Sequence, residues 1–292
     1  MADSDHAHRL ERWSSELHEL HTAWTLTNVQ FAQGARPGSR AAHDDAELAT
    51  RSPDLTKPEG TCTGIAAVQM IDAAAHHMLA LKALVDTRTV ALAPWPIARA
   101  IAEHVAYAGW LLEPDIAPEA RMARLWMARL AAAQRSCWLA KARKLPNAKV
   151  REFKEVRDNV RQQVLQRFPD AELTWSDPAT TPPWVIEGET YPGLGQQVRA
   201  LSTHGVDNIA GLYDTFSLFS HPNLMALSAQ SVTTNLGSHV VVRYRADVDD
   251  LESLVTGASS LVYLAAQAAC DYLGCASDEI LTSWFDTYRP RP

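Results

Sequence analysis

The chain has few cysteines and no long uncharged apolar run. Its four cysteines, Cys62, Cys137, Cys270 and Cys275, form no CxxC pair, which argues against a zinc site or a disulfide framework. No run of about 18 apolar residues without a charge occurs, so no membrane-spanning helix is expected. Residues 1–13 are polar and acidic, without the apolar core of a signal peptide. These absences predict a cytoplasmic protein with reduced thiols and no membrane partner.

Several common catalytic motifs are missing as well. Ser217 and His221 lie one helical turn apart, but the chain has no G-x-S-x-G elbow of the α/β hydrolases. The segment GLGQQ (193–197) lacks the later glycine and the Lys-Ser/Thr pair of a phosphate-binding loop. Asp72 and His76 share a helix face, yet the Glu-x-x-His repeats of a di-iron bundle are absent. We therefore predict neither a bound metal nor another cofactor.

Charge is divided unevenly along the chain. Residues 121–167 contain thirteen Lys and Arg against three acids, a net of +10, whereas the remainder carries −17. A net-acidic protein is a poor general nucleic-acid binder, because phosphate neutralisation supplies most non-specific affinity. A basic surface on an acidic body can instead hold an anion, an RNA or the acidic face of a second copy in a homodimer. We identify Arg121 and Arg124 as candidate anion-binding residues; the alternative is a solvated basic helix pair.

Apolar residues recur at helical spacing through most of the chain. This periodicity predicts an all-α fold, a single bundle-like domain of eight to nine helices. Residues 1–59 are expected to form an N-terminal helix and a polar loop packed on the main domain, residues 60–292. Prolines and glycines exclude a helix at 169–193, and the tryptophans there predict an irregular cover packed on the bundle. The β-branched residues of 231–245 predict a short hairpin.

Two otherwise apolar helices carry rows of polar side chains. Arg99 and Glu103 are four residues apart, so they share a helix face and can pair. Tyr213, Ser217 and His221 repeat the same spacing. Because isolated charges are costly to bury, we predict that the two rows face each other across one polar cavity. The alternatives are a structural ion pair at the first row and a helix-capping role for His221.

The two rows also carry a family resemblance. The pattern R-x3-E followed by W-L-L, and later Y-x3-S-x3-H, resembles a widespread group of uncharacterised bacterial all-helical proteins. The matching residues are Arg99, Glu103, Trp110, Leu111, Leu112, Tyr213, Ser217 and His221. We associate this group, loosely, with the HEPN superfamily (higher eukaryote and prokaryote nucleotide-binding), which includes metal-independent ribonucleases marked by Arg, four to six residues, then His. Arg99 and His104 match that spacing.

The resemblance covers roughly residues 60–275 and implies that the protein binds or cleaves RNA or a nucleotide phosphate. The implied chemistry needs no metal. His104 or His221 would take the proton from a ribose 2′-OH, and Arg99 would stabilise the charge that develops on phosphorus. The basic segment 121–167 would hold the RNA backbone.

The segment DVDD (247–250) supports a different chemistry. It matches the DxDD acid motif of class II terpene cyclases, in which the middle Asp protonates an olefin and aromatic side chains stabilise the cations. With nine tryptophans in the chain, an apolar small molecule is the alternative partner, and Asp249 or Glu103 the alternative acid. More simply, Asp247, Asp249 and Asp250 open a final helix, where acids are favoured by the dipole. A non-catalytic ligand-binding or interaction protein is the third alternative.

Overall fold

Helices dominate the computed structural model, which describes residues 2–51, 58–201, 209–221, 223–237, 239–275 and 278–289. It is 72% helical, with eleven helices and two short antiparallel hairpins in the described residues. The helices are α1 (Ala2–Phe31), α2 (Arg40–Arg51), α3 (Glu59–Asp86), α4 (Pro94–Leu111), α5 (Pro118–Ala142), α6 (Asn147–Arg167), α7 (Leu194–Ala200), α8 (Ile209–Ser220), α9 (Leu224–Ala229), α10 (Val248–Leu273) and α11 (Asp278–Tyr288). The strands are β1 (Val185–Ile186), β2 (Glu189–Thr190), β3 (Ser231–Asn235) and β4 (Val240–Tyr244). The all-α prediction is confirmed, with slightly more helices than expected.

Three helices, α3, α4 and α10, pack against one another at the centre of the molecule. Pro94 occupies the first turn of α4, where its missing N–H has no intrahelical partner to lose. Ala98, Ala102 and Ala106 are fully buried on α4. Small side chains at four-residue spacing let neighbouring helices approach closely. This close packing makes α4 the scaffold on which the polar rows are placed.

Two of these central helices, α3 and α10, are long and apolar enough to cross a bilayer by length and composition. The sequence was expected to lack such segments, but their many alanines and few charges raise the mean hydropathy. In the structure 44% and 61% of the respective apolar windows are buried inside the protein. The core helix of a globular protein passes the same test of length and composition.

The segment between α1 and α3 differs from expectation. It was predicted as a polar loop, but it contains the 12-residue helix α2. Its buried side chains are Ala41, Asp44 and Leu48, a narrow stripe in which the central member is charged. Because the middle buried position is an aspartate, the sequence lacks the recurrence of apolar residues that would indicate an amphipathic helix. The sequence feature that indicates the start of this helix is Ser39. Its hydroxyl caps the helix by accepting from the N–H of Ala42 at 3.2 Å.

The cover at 169–193 is confirmed, with β1 and β2 forming a small hairpin inside it. Trp184 and Tyr191 are buried, and their rings lie edge-on 6.2 Å apart between centroids. Trp175 continues the row outward to Trp138 on α5, and Tyr191 continues it inward to Trp110 on α4. Edge-to-face aromatic contacts add to the burial energy, so these rings attach the cover to the bundle. The hairpin predicted at 231–245 is confirmed as β3 and β4.

Candidate functional site

The two polar rows lie on α4 and α8, and aromatic packing sets how these helices meet. Phe216, fully buried on α8, lies against Trp95 of α4 with 6.4 Å between ring centroids. Phe219 contacts the same indole at 4.5 Å. This apolar contact anchors α8 across α4. The polar residues that flank Phe216 on α8 are thereby brought beside the polar row of α4.

The two rows meet, as we predict from the cost of burying isolated charges. Arg99 Nε donates to Glu103 Oε1 at 2.8 Å, and the Tyr213 hydroxyl donates to the same oxygen at 3.1 Å. Arg99 Nη1 contacts Nε2 of His221, and its guanidinium carbon lies 5.8 Å from the centre of the Tyr213 ring. Ser217 lies one helical turn after Tyr213 on α8 and acts to lower the pKa of the Tyr213 hydroxyl. We call Arg99, Glu103, Tyr213, Ser217 and His221 the Arg99 cluster.

The contact between Arg99 and His221 can be a hydrogen bond in only one direction. A guanidinium has only donors, so Nε2 of His221 must accept with its lone pair. His221 is exposed at the C-terminal end of α8, and the Arg99 and Glu103 side chains are about a quarter exposed, at 24% and 23%. The cluster therefore presents an unprotonated imidazole nitrogen and a guanidinium side by side in an open, polar position.

Two members of the cluster have shifted pKa values. Burial opposes the charge on Arg99, but hydrogen bonding and attraction to Glu103 outweigh it and raise the pKa of the guanidinium. Burial and the neighbouring Glu103 carboxylate raise the pKa of Tyr213, while Arg99 and Ser217 act in the opposite direction. Arg99 is therefore a permanent cation here, and Tyr213 is a neutral hydrogen-bond donor at physiological pH.

His104, the other candidate base, is not part of the cluster. Its Nδ1 contacts the carbonyl oxygen of Ala100 at 2.7 Å, and its ring lies 5.2 Å from that of His77 on α3. Consecutive helix residues point about 100° apart, so the residue after Glu103 leaves the Arg99 face. The R-x4-H spacing on α4 thus does not bring its two residues together; the histidine beside Arg99 comes from α8.

The candidate anion-binding arginines are occupied by partners within the chain. Arg121 is 1% exposed and donates to Asp44 Oδ2 at 3.0 Å, with further hydrogen bonds to three backbone carbonyls. Arg124 is buried between the carboxylates of Glu113 and Glu189. An anion would have to displace these partners and enter the core, so the structure does not bear out an anion site at either arginine.

The rest of the basic segment is exposed. α6 packs on α5, and Val164 is its one buried residue among those described. Ion pairs such as Lys149 with Glu152 and Arg157 with Asp158 neutralise part of the charge. The surplus lies on the outer faces of this α5–α6 hairpin and at its turn, where Lys141, Arg143 and Lys144 are exposed. This surface is positively charged and open to solvent.

The DVDD segment forms the start of α10, and its carboxylates are not enclosed in a cavity. Asp247 is the N-cap of α10, and its carboxylate accepts from the backbone N–H groups of Asp249 and Asp250 at 2.9 and 3.4 Å. The Asp249 side chain is 86% exposed and pairs with Arg9 at 3.0 Å. An acid that protonates an olefin needs an apolar enclosure, which this surface carboxylate lacks. The capping alternative is confirmed, and the terpene-cyclase alternative is not carried further.

A cleft of about 520 Å³ lies elsewhere on the molecule, between α4 and α10. Its walls come mainly from Val105, Leu201, Leu261, Leu264 and Ala265, with Arg40, Asp115, Gln267 and Asp271 among the polar lining residues. None of its lining residues in the described chain is a tryptophan, so the expected Trp-rich cavity is not this one. Sequence periodicity did not single out Arg40 or Asp115, because loop and helix-start residues carry no such signal. No group of three or more His, Cys, Asp or Glu suited to a metal occurs among the residues described.

Comparisons of the chain with protein-family models, with curated proteins and with solved structures found no match.

Proposed function

We propose that this protein is a HEPN-like, metal-independent ribonuclease whose active site is the Arg99 cluster. The observation that carries the proposal is the contact between the Arg99 guanidinium and the unprotonated Nε2 of His221. One group is a fixed cation, suited to a phosphate in its charged transition state. The other is an imidazole, the group most often used for proton transfer in enzymes, whose Nε2 lone pair can take a proton once the contact with Arg99 opens.

The reaction is an internal transesterification of the RNA backbone. The ribose 2′-oxygen attacks the adjacent phosphorus while its proton passes to His221 Nε2. The bond from phosphorus to the 5′-oxygen breaks, and the leaving oxygen takes a proton from water. The hydroxide that remains takes the proton from His221, which regenerates the base. The products are a 2′,3′-cyclic phosphate and a 5′-hydroxyl end. Arg99 donates to the non-bridging oxygens, whose negative charge grows in the transition state.

Glu103 and Tyr213 act as positioning residues in this scheme. Glu103 Oε1 accepts from both Arg99 Nε and the Tyr213 hydroxyl, so one oxygen fixes two side chains. Arg99 Nη1 remains on the side of His221, where an entering phosphate can replace the imidazole as its partner. Breaking that contact frees Nε2 for the 2′-hydroxyl. The site is thereby assembled before substrate arrives.

The α5–α6 hairpin supplies the surface on which the RNA backbone is held. The cations at its turn, Lys141, Arg143 and Lys144, are exposed, and the net positive charge of the segment opposes that of the acidic remainder of the chain. Phosphate contacts release bound counterions, so affinity should fall as salt is raised. Replacing Lys141, Arg143 and Lys144 together by Gln should weaken RNA binding and flatten its salt dependence without removing the reacting groups.

Cleavage of a pool of structured RNAs in the presence of EDTA tests the proposal. Wild type should cleave and leave cyclic phosphate ends, whereas His221→Asn and Arg99→Gln should lose activity by about a hundredfold or more, the usual scale for a general base or an oxyanion donor. His104→Asn is the matched control and should retain activity, because His104 lies on another face of α4. Absence of cleavage by purified wild type would reject the ribonuclease, as would activity that survives His221→Asn.

A further inference from the structure

The cleft between α4 and α10 is a second place where the protein can hold a molecule. Its volume of about 520 Å³ falls within the range typical of small-ligand sites. Leu201, Leu261 and Ala265 line its wall and are themselves nearly inaccessible to water, so the floor is rigid core. Leu264 and Ala268 extend the apolar wall toward the opening, where both are half-buried.

The cleft is separate from the Arg99 cluster. Val105 and Gly109 of α4, together with Leu112 directly after this helix, line the cleft. At about 100° per residue, Val105 points roughly 120° or more, and Gly109 roughly 80° or more, away from both Arg99 and Glu103 around the helix. A ligand in the cleft and an RNA at the cluster would therefore contact different faces of α4.

The polar side chains that line the cleft differ in whether they can bind a ligand. Arg40 and Arg121 both pair with Asp44, each at 3.0 Å, and Arg121 is saturated by backbone carbonyls as well. Asp115 is exposed at the opening and has no hydrogen bond or ion pair with any residue that the structure describes. Gln267 donates its amide to the Tyr263 hydroxyl, which leaves its side-chain carbonyl as an acceptor. The available groups are therefore mainly acceptors.

The charged side chains at the opening favour a cation over an anion. Arg40 and Arg121 are both held by Asp44, and both also donate to backbone carbonyls. A cation at the opening would pair with the Asp115 carboxylate, whereas a carboxylate or phosphate would be repelled by it.

We propose that the cleft binds an amphipathic amine: an apolar body against the Leu261 and Leu264 wall, and a protonated amino group at Asp115 and Gln267. An ammonium group has three donors, which suits a carboxylate and an amide oxygen together. Each buried methylene group of the apolar body raises the affinity about fourfold, so most of the affinity comes from the wall and the charge sets the preference.

Titration calorimetry at neutral pH with octylammonium, 1-octanol and octanoate tests the proposal on the wild-type protein. The three probes share the apolar chain and differ in the charge of the head. Octylammonium should bind most tightly and octanoate most weakly. Octanoate that binds as well as octylammonium would overturn the proposal, and so would a failure of octylammonium to bind.

Two variants locate the binding. Asp115→Asn should weaken octylammonium binding by about three- to fivefold, the scale of a partly exposed ion pair, and leave 1-octanol unchanged. Asp170→Asn, an exposed acid after α6, is the matched control and should change neither. Ala268→Trp should fill the opening and abolish binding of both probes. Equal effects of the two Asn variants, or binding that survives a correctly folded Ala268→Trp, would show that the amine does not occupy the cleft.

Discussion

Arg99 donates from Nη1 to Nε2 of His221, although the two residues are 122 positions apart in the chain. The contact depends on α8 lying across α4, which the buried ring of Phe216 against Trp95 enforces. A cation and an unprotonated imidazole are held together while both remain accessible at the surface. This pair and the carboxylate of Glu103 form the centre of the active site that we propose.

Removing the Tyr213 hydroxyl tests its role as a positioning residue. Tyr213→Phe deletes the bond to Glu103 Oε1 and keeps the ring over Arg99, so the free energy of unfolding should fall by only about 1 kcal/mol. Because Arg99 loses part of its support, we expect kcat for RNA cleavage to fall while KM changes little. Thr215→Ala is the control on the same helix, since the Thr215 hydroxyl donates only to the backbone carbonyl of Gly211 within α8 among the described contacts. Equal losses in both variants would show a general effect on α8.

Asp44 should be a principal determinant of stability. Its carboxylate accepts from Arg121, Arg40 and the Tyr272 hydroxyl while being 2% exposed. Asp44→Ala leaves a buried guanidinium without its counter-charge, which should cost about 3–5 kcal/mol of unfolding free energy. Urea denaturation followed by far-ultraviolet circular dichroism measures this loss.

Glu47→Gln serves as the control for Asp44, because it removes a carboxylate from the exposed side of the same helix. Its cost should be below about 1 kcal/mol, as for surface ion pairs generally. A similar, small loss in Asp44→Ala would mean that Arg121 finds water or another partner, contrary to the structure.

Substitutions at the start of α10 distinguish a helix-capping role of the DVDD segment from a catalytic role. Asp247→Ala removes two hydrogen bonds to backbone N–H groups and should lower the free energy of unfolding by about 1 kcal/mol. Asp249→Asn loses only an exposed pair with Arg9 and should be close to neutral. Thermal unfolding distinguishes the two variants. Neither should impair RNA cleavage; a catalytic loss in Asp249→Asn at unchanged stability would restore the acid interpretation of DVDD.

His77 should make stability depend on pH. Burial, and then the neighbouring His104 and His76, lower the pKa of His77 below its ordinary 6.5. Between the folded and unfolded pKa values the unfolded chain binds more protons, so stability rises with pH there. The contribution is complete above about pH 6.5 and is lost as pH falls from that value to the lower folded pKa.

Unfolding free energies of wild type and His77→Gln between pH 5 and 8, measured in urea, check this sign. The variant should have a flatter profile below about pH 6.5, where the ordinary imidazole begins to take up a proton. His8→Gln, an exposed histidine in α1, should leave the profile unchanged. A profile of His77→Gln parallel to that of wild type would contradict the assignment.

Much of the fold and part of the candidate site follow from local pattern. Helical periodicity predicts the long helices, Asp247 predicts the start of α10, and i, i+4 spacing predicts the pair of Arg99 and Glu103. These features depend on neighbours within a few residues, so the chain determines them by itself. Local pattern does not predict helix α2, because its buried stripe contains Asp44. The partners of Asp44, Arg121 and Tyr272, are far away in the chain.

Only the tertiary structure decided which histidine accompanies Arg99, which arginines are buried and where the cleft opens. His104 satisfies the spacing in sequence, but helix geometry turns it toward α3, and the packing of α8 brings His221 instead. Arg121 appeared as part of a basic segment and is a core residue neutralised by Asp44. Periodicity shows which face of a helix is polar, whereas the identity of the partner across that face depends on how the helices pack.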